Sequence, residues 1–395
     1  MNLFHGTLVG LIGLGLAQTA QAQISSNTLT AFNQAVETGD ASAIEVASTN
    51  LMNEAIANPD DPDALIAAYE AALKLCDIDC EAALPGAEFA LGFPATGQHP
   101  IMAERELLAA FADFSRRSTG ATRARLETAL TNMQDPTLLS ARAFLPLYTD
   151  LAGRNHFQSS ARVARIAVEH LEPVRSSVLQ YYLHALEAYG TTLFLEEKTV
   201  VSHEALVRWN AELRRLRSEV TLSDAPDWLE ATYWRSEAWV LAADTYYRSA
   251  NDEPPVETRI RADEAEHLSE EQVDAIYAEY DIPDDYDTFA NDGDATDFLP
   301  RCDIETNFLP RLEFPRRAAN LGVIGTVFLE IDIDSEGAVV DARLLASVPP
   351  NLFDQQVVET ISQWQFTVAE DEDPTSCRLE QSNLVYPISF GFGRP

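Results

Sequence analysis

Three groups of residues have types and spacings that could do chemistry. The first is Asp332-x-Asp334-x-Glu336-Gly337, whose alternating carboxylates ahead of a glycine imitate the opening of a calcium loop. Such a loop needs a bidentate Glu at its twelfth position, where Arg343 stands, and helices on both sides, where these residues read as strands. A tight hairpin turn is the better reading, with Gly337 supplying the positive φ it needs. The second group is Cys76-x3-Cys80, which lacks the further Cys or adjacent His of a metal set and the Cys-x-x-Cys redox spacing. The third is the last strand-like run, Leu384 to Phe390, in which Pro387 removes a backbone donor. That suits an edge strand and not a central one, and Pro387 would also protect such an edge from aggregation.

Enzyme signatures are missing. The chain holds no His-Glu-x-x-His, no Gly-x-Ser-x-Gly, no phosphate-cradling glycine loop and no dinucleotide fingerprint. Its seven histidines are scattered: His99 reads as a loop residue, and His156, His170, His184 and His203 as helix-face or loop residues. Carboxylate pairs carry no information in so acidic a chain. No catalytic residue, cofactor or metal site is nominated, and a non-enzymatic protein is expected.

The elements around the hairpin form a pattern. Thr326–Ile333 and Ala338–Leu345 alternate as two strands around the Asp334–Gly337 turn, predicting one buried and one wetter face. After Pro349-Pro350 a short amphipathic helix follows, ending at Trp364-Gln365-Phe366, with Phe353, Val357, Ile361 and Trp364 in one stripe. The order resembles the C-terminal domain of the TonB family, over about Cys302 to Phe390. One block of the family pattern is Phe314-Pro315, Ala318, Gly322, Gly325 and Val327; Gly337 follows at the turn. The second block is Phe353-Asp354 through Trp364 and Phe366. The Gln-Pro that commonly precedes the aromatic-Pro pair in receptor-coupling members is replaced by Arg311-Leu312.

The resemblance implies a function. In the family, an extended segment of an outer-membrane receptor adds itself to the sheet beside the last strand, through main-chain hydrogen bonds. The implied contact strand is Ser382, Asn383, Leu384, Val385, Tyr386, Pro387, Ile388, Ser389 and Phe390. The implied partner is a peptide of a TonB-dependent receptor, with a homodimer through this domain as a second partner class. The alternative is an envelope scaffold whose helical region binds the main partner while the TonB-like domain is structural or dimerising.

Towards the N-terminus, Leu8 to Ala17 is apolar and Ala20-x-Ala22 fits a cleavage site, so residues 1–22 read as an export signal. The run is shorter than the roughly 20 residues of a membrane span. A mature periplasmic protein without a transmembrane span is expected, which favours the binding half of the family's activity over energy transduction. Lys+Arg of 27 against Asp+Glu of 63 gives a formal charge of −36, which disfavours nucleic acid and anionic lipid as partners.

Residues 23–280 read as helix after helix. They form either an irregular all-α array or a degenerate tetratricopeptide-like solenoid, since no clean repeat period emerges. Gly86–Pro100 reads as the clearest loop of this part. Aromatic helix faces, including Tyr182, Tyr233, Trp234 and Trp239, are expected mainly to pack the core. An acidic linker over 281–300 leads to the TonB-like domain at 301–395, so the fold class is α+β with several domains. Four cysteines in an exported chain allow three pairings. Cys302 and Cys377 flank the TonB-like core and are paired on that ground, leaving Cys76 with Cys80.

Overall fold

The computed structural model describes residues 24–92, 101–196, 199–220, 226–252, 267–280, 282, 301–308, 310, 312–321, 323–370, 373 and 375–391. The export signal, most of the 281–300 linker and Gly322 lie outside them. The chain divides into two compact units, 1–134 and 135–395.

The first unit contains helices α1 (Ser26–Thr38), α2 (Ala41–Ala57), α3 (Ala64–Cys76), α4 (Leu84–Leu91), α5 (Ile101–Arg116) and α6 (Gly120–Asn132). Their ends follow local chemistry. Asp40 accepts from the Ala43 N–H at 2.7 Å to start α2, and Gly39, at φ +70°, closes α1 with its N–H on the Ala35 carbonyl. The interior is rich in alanine, with Ala55, Ala64, Ala68, Ala71 and Ala72 fully buried around Leu51, Tyr69 and Leu75. Part of the expected 86–100 loop is helical instead. Gly86 lies inside α4, where a Cβ would stand 2.7 Å from the Met52 sulfur and 3.0 Å from the Ala68 carbonyl oxygen. The glycine there permits close helix packing and not a turn. Residues 93–100 lie outside the described set.

The second unit begins with α7 (Leu138–Gly153), α8 (Phe157–Leu171), a 3-10 segment (Glu172–Ser177), α9 (Leu179–Glu196), α10 (Val200–Ser218), α11 (Asp227–Asp252) and α12 (Glu270–Ala278). Helices α7 to α11 each pack against the next in sequence. Thr137, Thr199 and Ser269 cap α7, α10 and α12, with Ser140, Ser202 and Gln272 answering three residues on. Helix α10 therefore starts at Val200, with Ser202 in the place where Glu or Gln would mark a capping box.

The remaining elements are β1 (Ile304–Phe308), α13 (Arg316–Leu321), β2 (Gly325–Ile333), β3 (Val339–Val348), α14 (Asp354–Thr360), β4 (Gln365–Val368) and β5 (Gln381–Phe390). Strands β3, β2 and β5 form an antiparallel sheet in that order, and β1 pairs with β4. The hairpin turn is as expected. Gly337 has φ +81°, and Asp334 Oδ1 accepts from the Glu336 and Ala338 N–H groups at 3.0 and 2.9 Å. Asp334 thus uses its carboxylate to hold the turn.

Two expectations about this region need correction. The helix stops at Thr360 and passes through a 3-10 turn, Ile361–Gln363; Trp364 is extended and Phe366 belongs to β4. Both aromatics stay buried, because a strand at this point still turns them under the sheet. The other correction concerns the wetter face. On β2, Val327, Leu329, Ile331 and Ile333 join the cluster with Phe353, Val357, Ile361, Trp364 and Phe366. On the opposite face Thr326 is fully buried and Phe328 is 2% exposed. Helix α11 covers that face, packing on β2, β3 and β5. Ile324, Phe328, Ala346 and Val348 share one apolar cluster with Trp234, Trp239 and the neighbouring helices, and the Trp234 and Phe328 rings lie 5.7 Å apart. Arg217 holds the start of α11 by a bidentate pair with Glu230, at 2.9 and 3.0 Å, while stacking 4.5 Å over the Tyr233 ring.

Candidate functional site

The sheet ends at β5. Among the described residues β5 has one ladder neighbour, β2, with Thr326 opposite Ser389, Phe328 opposite Pro387 and Glu330 opposite Val385. Pro387 cannot donate to a ladder, so its nitrogen belongs on the side away from β2. Backbone direction alternates along a strand, which gives Val385 and Ser389 the same outward direction and Tyr386 and Ile388 the inward one.

The side chains of β5 divide in the same alternating way. Leu384, Tyr386, Ile388 and Phe390 join the core beneath the sheet, with Phe390 buried and the other three half-buried. Ser382, Asn383, Pro387 and Ser389 are exposed, and Val385 is half-buried towards α11. The start of the strand is fixed at two points. Gln381, itself buried, donates from Nε2 to the Cys302 carbonyl at 2.8 Å, and the Asn383 N–H donates to Asp332 Oδ1 at 2.7 Å with Asn383 at φ +56°. Cys302 and Cys377 are both buried, their Cα atoms are 4.9 Å apart, and their sulfurs lie within bonding distance, beside this anchor. The sulfurs of Cys76 and Cys80 are also within bonding distance.

The motif residues read from the sequence converge, and what they form is a core. Phe314 meets Phe353 and Phe390 edge-on at 5.8 and 6.3 Å, and Phe353 stacks on Phe390 at 4.8 Å. Ala318 is fully buried, and a Cβ on Gly325 would collide with the Phe353 ring and the Val348 carbonyl. Trp364 and Phe366 both pack edge-on against Tyr386 of β5, at 5.4 and 5.5 Å. Burial raises the Tyr386 phenol above its ordinary pKa, so it stays neutral beside them. Asp354 opens α14, where a carboxylate complements the helix N-terminus. The motif therefore shapes β5 from below and leaves its outer edge free of motif side chains. Two contributors were not legible in the sequence: β1, a short strand next to Cys302, and the α11 cover.

An antiparallel sheet with helices beneath it, whose last strand has one neighbour among the described residues, defines an α+β module. Residues 310–388 match the family described as Gram-negative bacterial TonB protein C-terminal. A stretch of 60 residues is 37% identical to Protein TonB of Yersinia enterocolitica, covering 15% of this chain and 24% of that protein. Another alignment, over 54 residues, is 39% identical to Protein TonB of Vibrio cholerae serotype O1, covering 14% of this chain and 22% of the relative. The matched part of this chain is a TonB C-terminal domain. The chain spans about a quarter of the length of the curated relatives it matches. Among the described residues no helix is long and apolar enough to cross a membrane.

Proposed function

We propose that this chain is a non-enzymatic binding protein of the Gram-negative envelope, linked to transport, whose TonB-like domain docks an extended peptide by strand addition to β5. A peptide of a TonB-dependent outer-membrane receptor is the partner the family likeness favours. Residues 1–22 act as a cleaved export signal, the mature protein works in the periplasm, and 281–300 joins the helical part to the TonB-like domain. The observation that carries the reading is that β5 has one ladder neighbour among the described residues, with Pro387, which has no N–H to give a ladder, set opposite Phe328 of β2. Backbone groups that face away from β2 would offer main-chain affinity, and the half-buried Leu384, Tyr386 and Ile388 side-chain selectivity.

The test is a pair of proline substitutions in the full chain. Ser389→Pro removes an outward N–H and blocks close approach of a peptide, leaving the ladder to β2 intact. Binding of a synthetic peptide carrying a receptor's extended N-terminal segment should weaken by about tenfold, or about 1.4 kcal/mol, with little change in melting temperature. Ile388→Pro removes an inward donor and should lower the melting temperature instead. A folded Ser389→Pro variant that binds a verified partner at wild-type affinity excludes the edge as the site.

One observation favours the scaffold reading as a second possibility: α11 covers the other face of the sheet, so the TonB-like domain is packed on the helical part. Under that reading the partner is held by helices and Ser389→Pro has no effect.

The Cys302–Cys377 and Cys76–Cys80 bonds belong to the same proposal. Bridging Cys302 to Cys377 closes a sequence separation of 75 residues, and losing the bridge should cost about 2–5 kcal/mol. Mass mapping of non-reduced protein from the periplasm should find both residues linked; two free thiols there would refute the bridge.

A further inference from the structure

Helix α11 covers the sheet face that carries Phe328, and the burial of that face traces the path of the helix. Three cross-strand rows lie on it: Val385, Glu330 and Arg343; Pro387, Phe328 and Ala346; Ser389, Thr326 and Val348. In the first row the β5 end is half-buried and the β3 end is open, with the Arg343 side chain 67% exposed. In the last row the order is reversed: Ser389 is exposed and Val348 is fully buried. A helix lying obliquely across the sheet, from β5 at Val385 to β3 at Val348, produces that pattern. Its direction follows from two contacts. Trp234 stands over Phe328 in the middle row, and Glu230, one turn earlier, acts on the first row. Arg343 there is raised above its ordinary pKa first by its hydrogen bond to Glu330, and the charge of Glu230 adds to that. The N-terminal turn of α11 therefore lies at the Val385 end.

Other sides of this helix are taken. Arg235 pairs with Glu187 of α9 at 2.6 Å, and Glu237 with Arg214 of α10 at 2.8 Å. Asp227 and Ala231, seven and three residues before Trp234, share its face by helical spacing, yet both are exposed. Seven residues of helix advance about 10 Å, about two strand spacings. Starting from Trp234 over β2, that carries the first turn to the outer edge of β5.

We propose that Asp227 and Ala231 form a wall of the β5 docking groove, and that Asp227 selects a peptide with a basic residue beside Val385. The inference rests on strand addition to β5 being the function. A strand laid along β5 puts every second side chain on the α11 face, and the one nearest Val385 meets this turn. Ala231, with a single methyl group, leaves room for it. Asp227 brings an exposed carboxylate, whereas Glu230 beside it is committed to Arg217. The formal charge of −36 also draws a basic peptide towards the protein. Helix α11 lies outside the matched residues 310–388, so this wall belongs to the present chain and not to the TonB-like domain alone.

A charge swap read by peptide binding to the full chain tests this. The probe is the synthetic peptide of the proline test, with Lys or Glu placed at each position in turn. In the wild type one position should favour Lys over Glu by about threefold, the scale of an exposed ion pair. Asp227→Lys should reverse that preference. Glu270→Lys, the same change of net charge on α12, should keep it. Ala231→Trp, at an exposed helix position, should weaken binding by about tenfold with little change in melting temperature. The wall is overturned by the lack of any position preferring Lys in the wild type, by a preference that survives Asp227→Lys, or by wild-type affinity in Ala231→Trp. If Ser389→Pro still weakens binding in that case, strand addition stands without the wall; if Ser389→Pro binds normally, both fall.

Discussion

Phe328→Ala should lower the stability of the second unit by about 3–5 kcal/mol, the range for removing a buried aromatic ring from a packed interior. The ring is 2% exposed, on the sheet face that α11 covers, 5.7 Å from Trp234. Truncation leaves a cavity between a strand held on both sides by ladders and a helix held by Arg217 and Glu230, so neither wall can easily collapse inward. Chemical denaturation of the full chain, followed by tryptophan fluorescence and by circular dichroism, measures it. Because Ile324, Phe328, Ala346 and Val348 share one cluster with the helices, helical and sheet signals from this unit should be lost together. A loss under about 1 kcal/mol, or a sheet transition that moves without the helical one, would show the seam to be loose. A double-mutant cycle with Trp234→Ala should give a coupling of about 0.5–1.5 kcal/mol, as for an aromatic pair in contact. The same geometry bears on dissection: cutting the chain near residue 300 exposes the Phe328 face. Binding tests on the isolated TonB-like domain would therefore report a damaged surface, which is why the proline pair is placed in the full chain.

Trp364→Ala should cost a similar amount, about 3–5 kcal/mol, by a different route. Trp364 is 1% exposed and lies beneath the sheet, edge-on to Tyr386 of β5. Removing it undercuts the contact strand from below, so peptide binding should fall along with stability. Such a loss would not identify the site, because it follows from unfolding or from a displaced β5. Ser389→Pro separates the two effects, since it changes the edge and leaves the core. A Trp364→Ala variant that melts like the wild type would show that the indole contributes little to the sheet's footing.

The sequence by itself determined the local and the patterned features. Asp334 and Gly337 specify a hairpin through hydrogen bonds within five residues, and the apolar spacing of Phe353, Val357 and Ile361 specifies a helix that must bury one stripe. Pro387 specifies an edge because a missing donor is intolerable in a central strand. The TonB resemblance rests on the same kind of residue, and the structure gives the reason: Ala318, Gly325, Phe353, Trp364 and Phe366 are where the packing leaves little choice. Where two patterns overlapped, the sequence misled. Trp364 keeps helical spacing but sits in extended backbone, since a buried position under a sheet can be reached from either conformation. Only tertiary structure decided what covers the second face of β2. Phe328 and Trp234 are apolar aromatics on elements far apart in sequence, and nothing in either local pattern names the other. Contacts of that kind depend on the path of the whole chain. Burial of both faces of β2 and the covered sheet arise there, because long-range packing is set by which surfaces are left over once each element has formed.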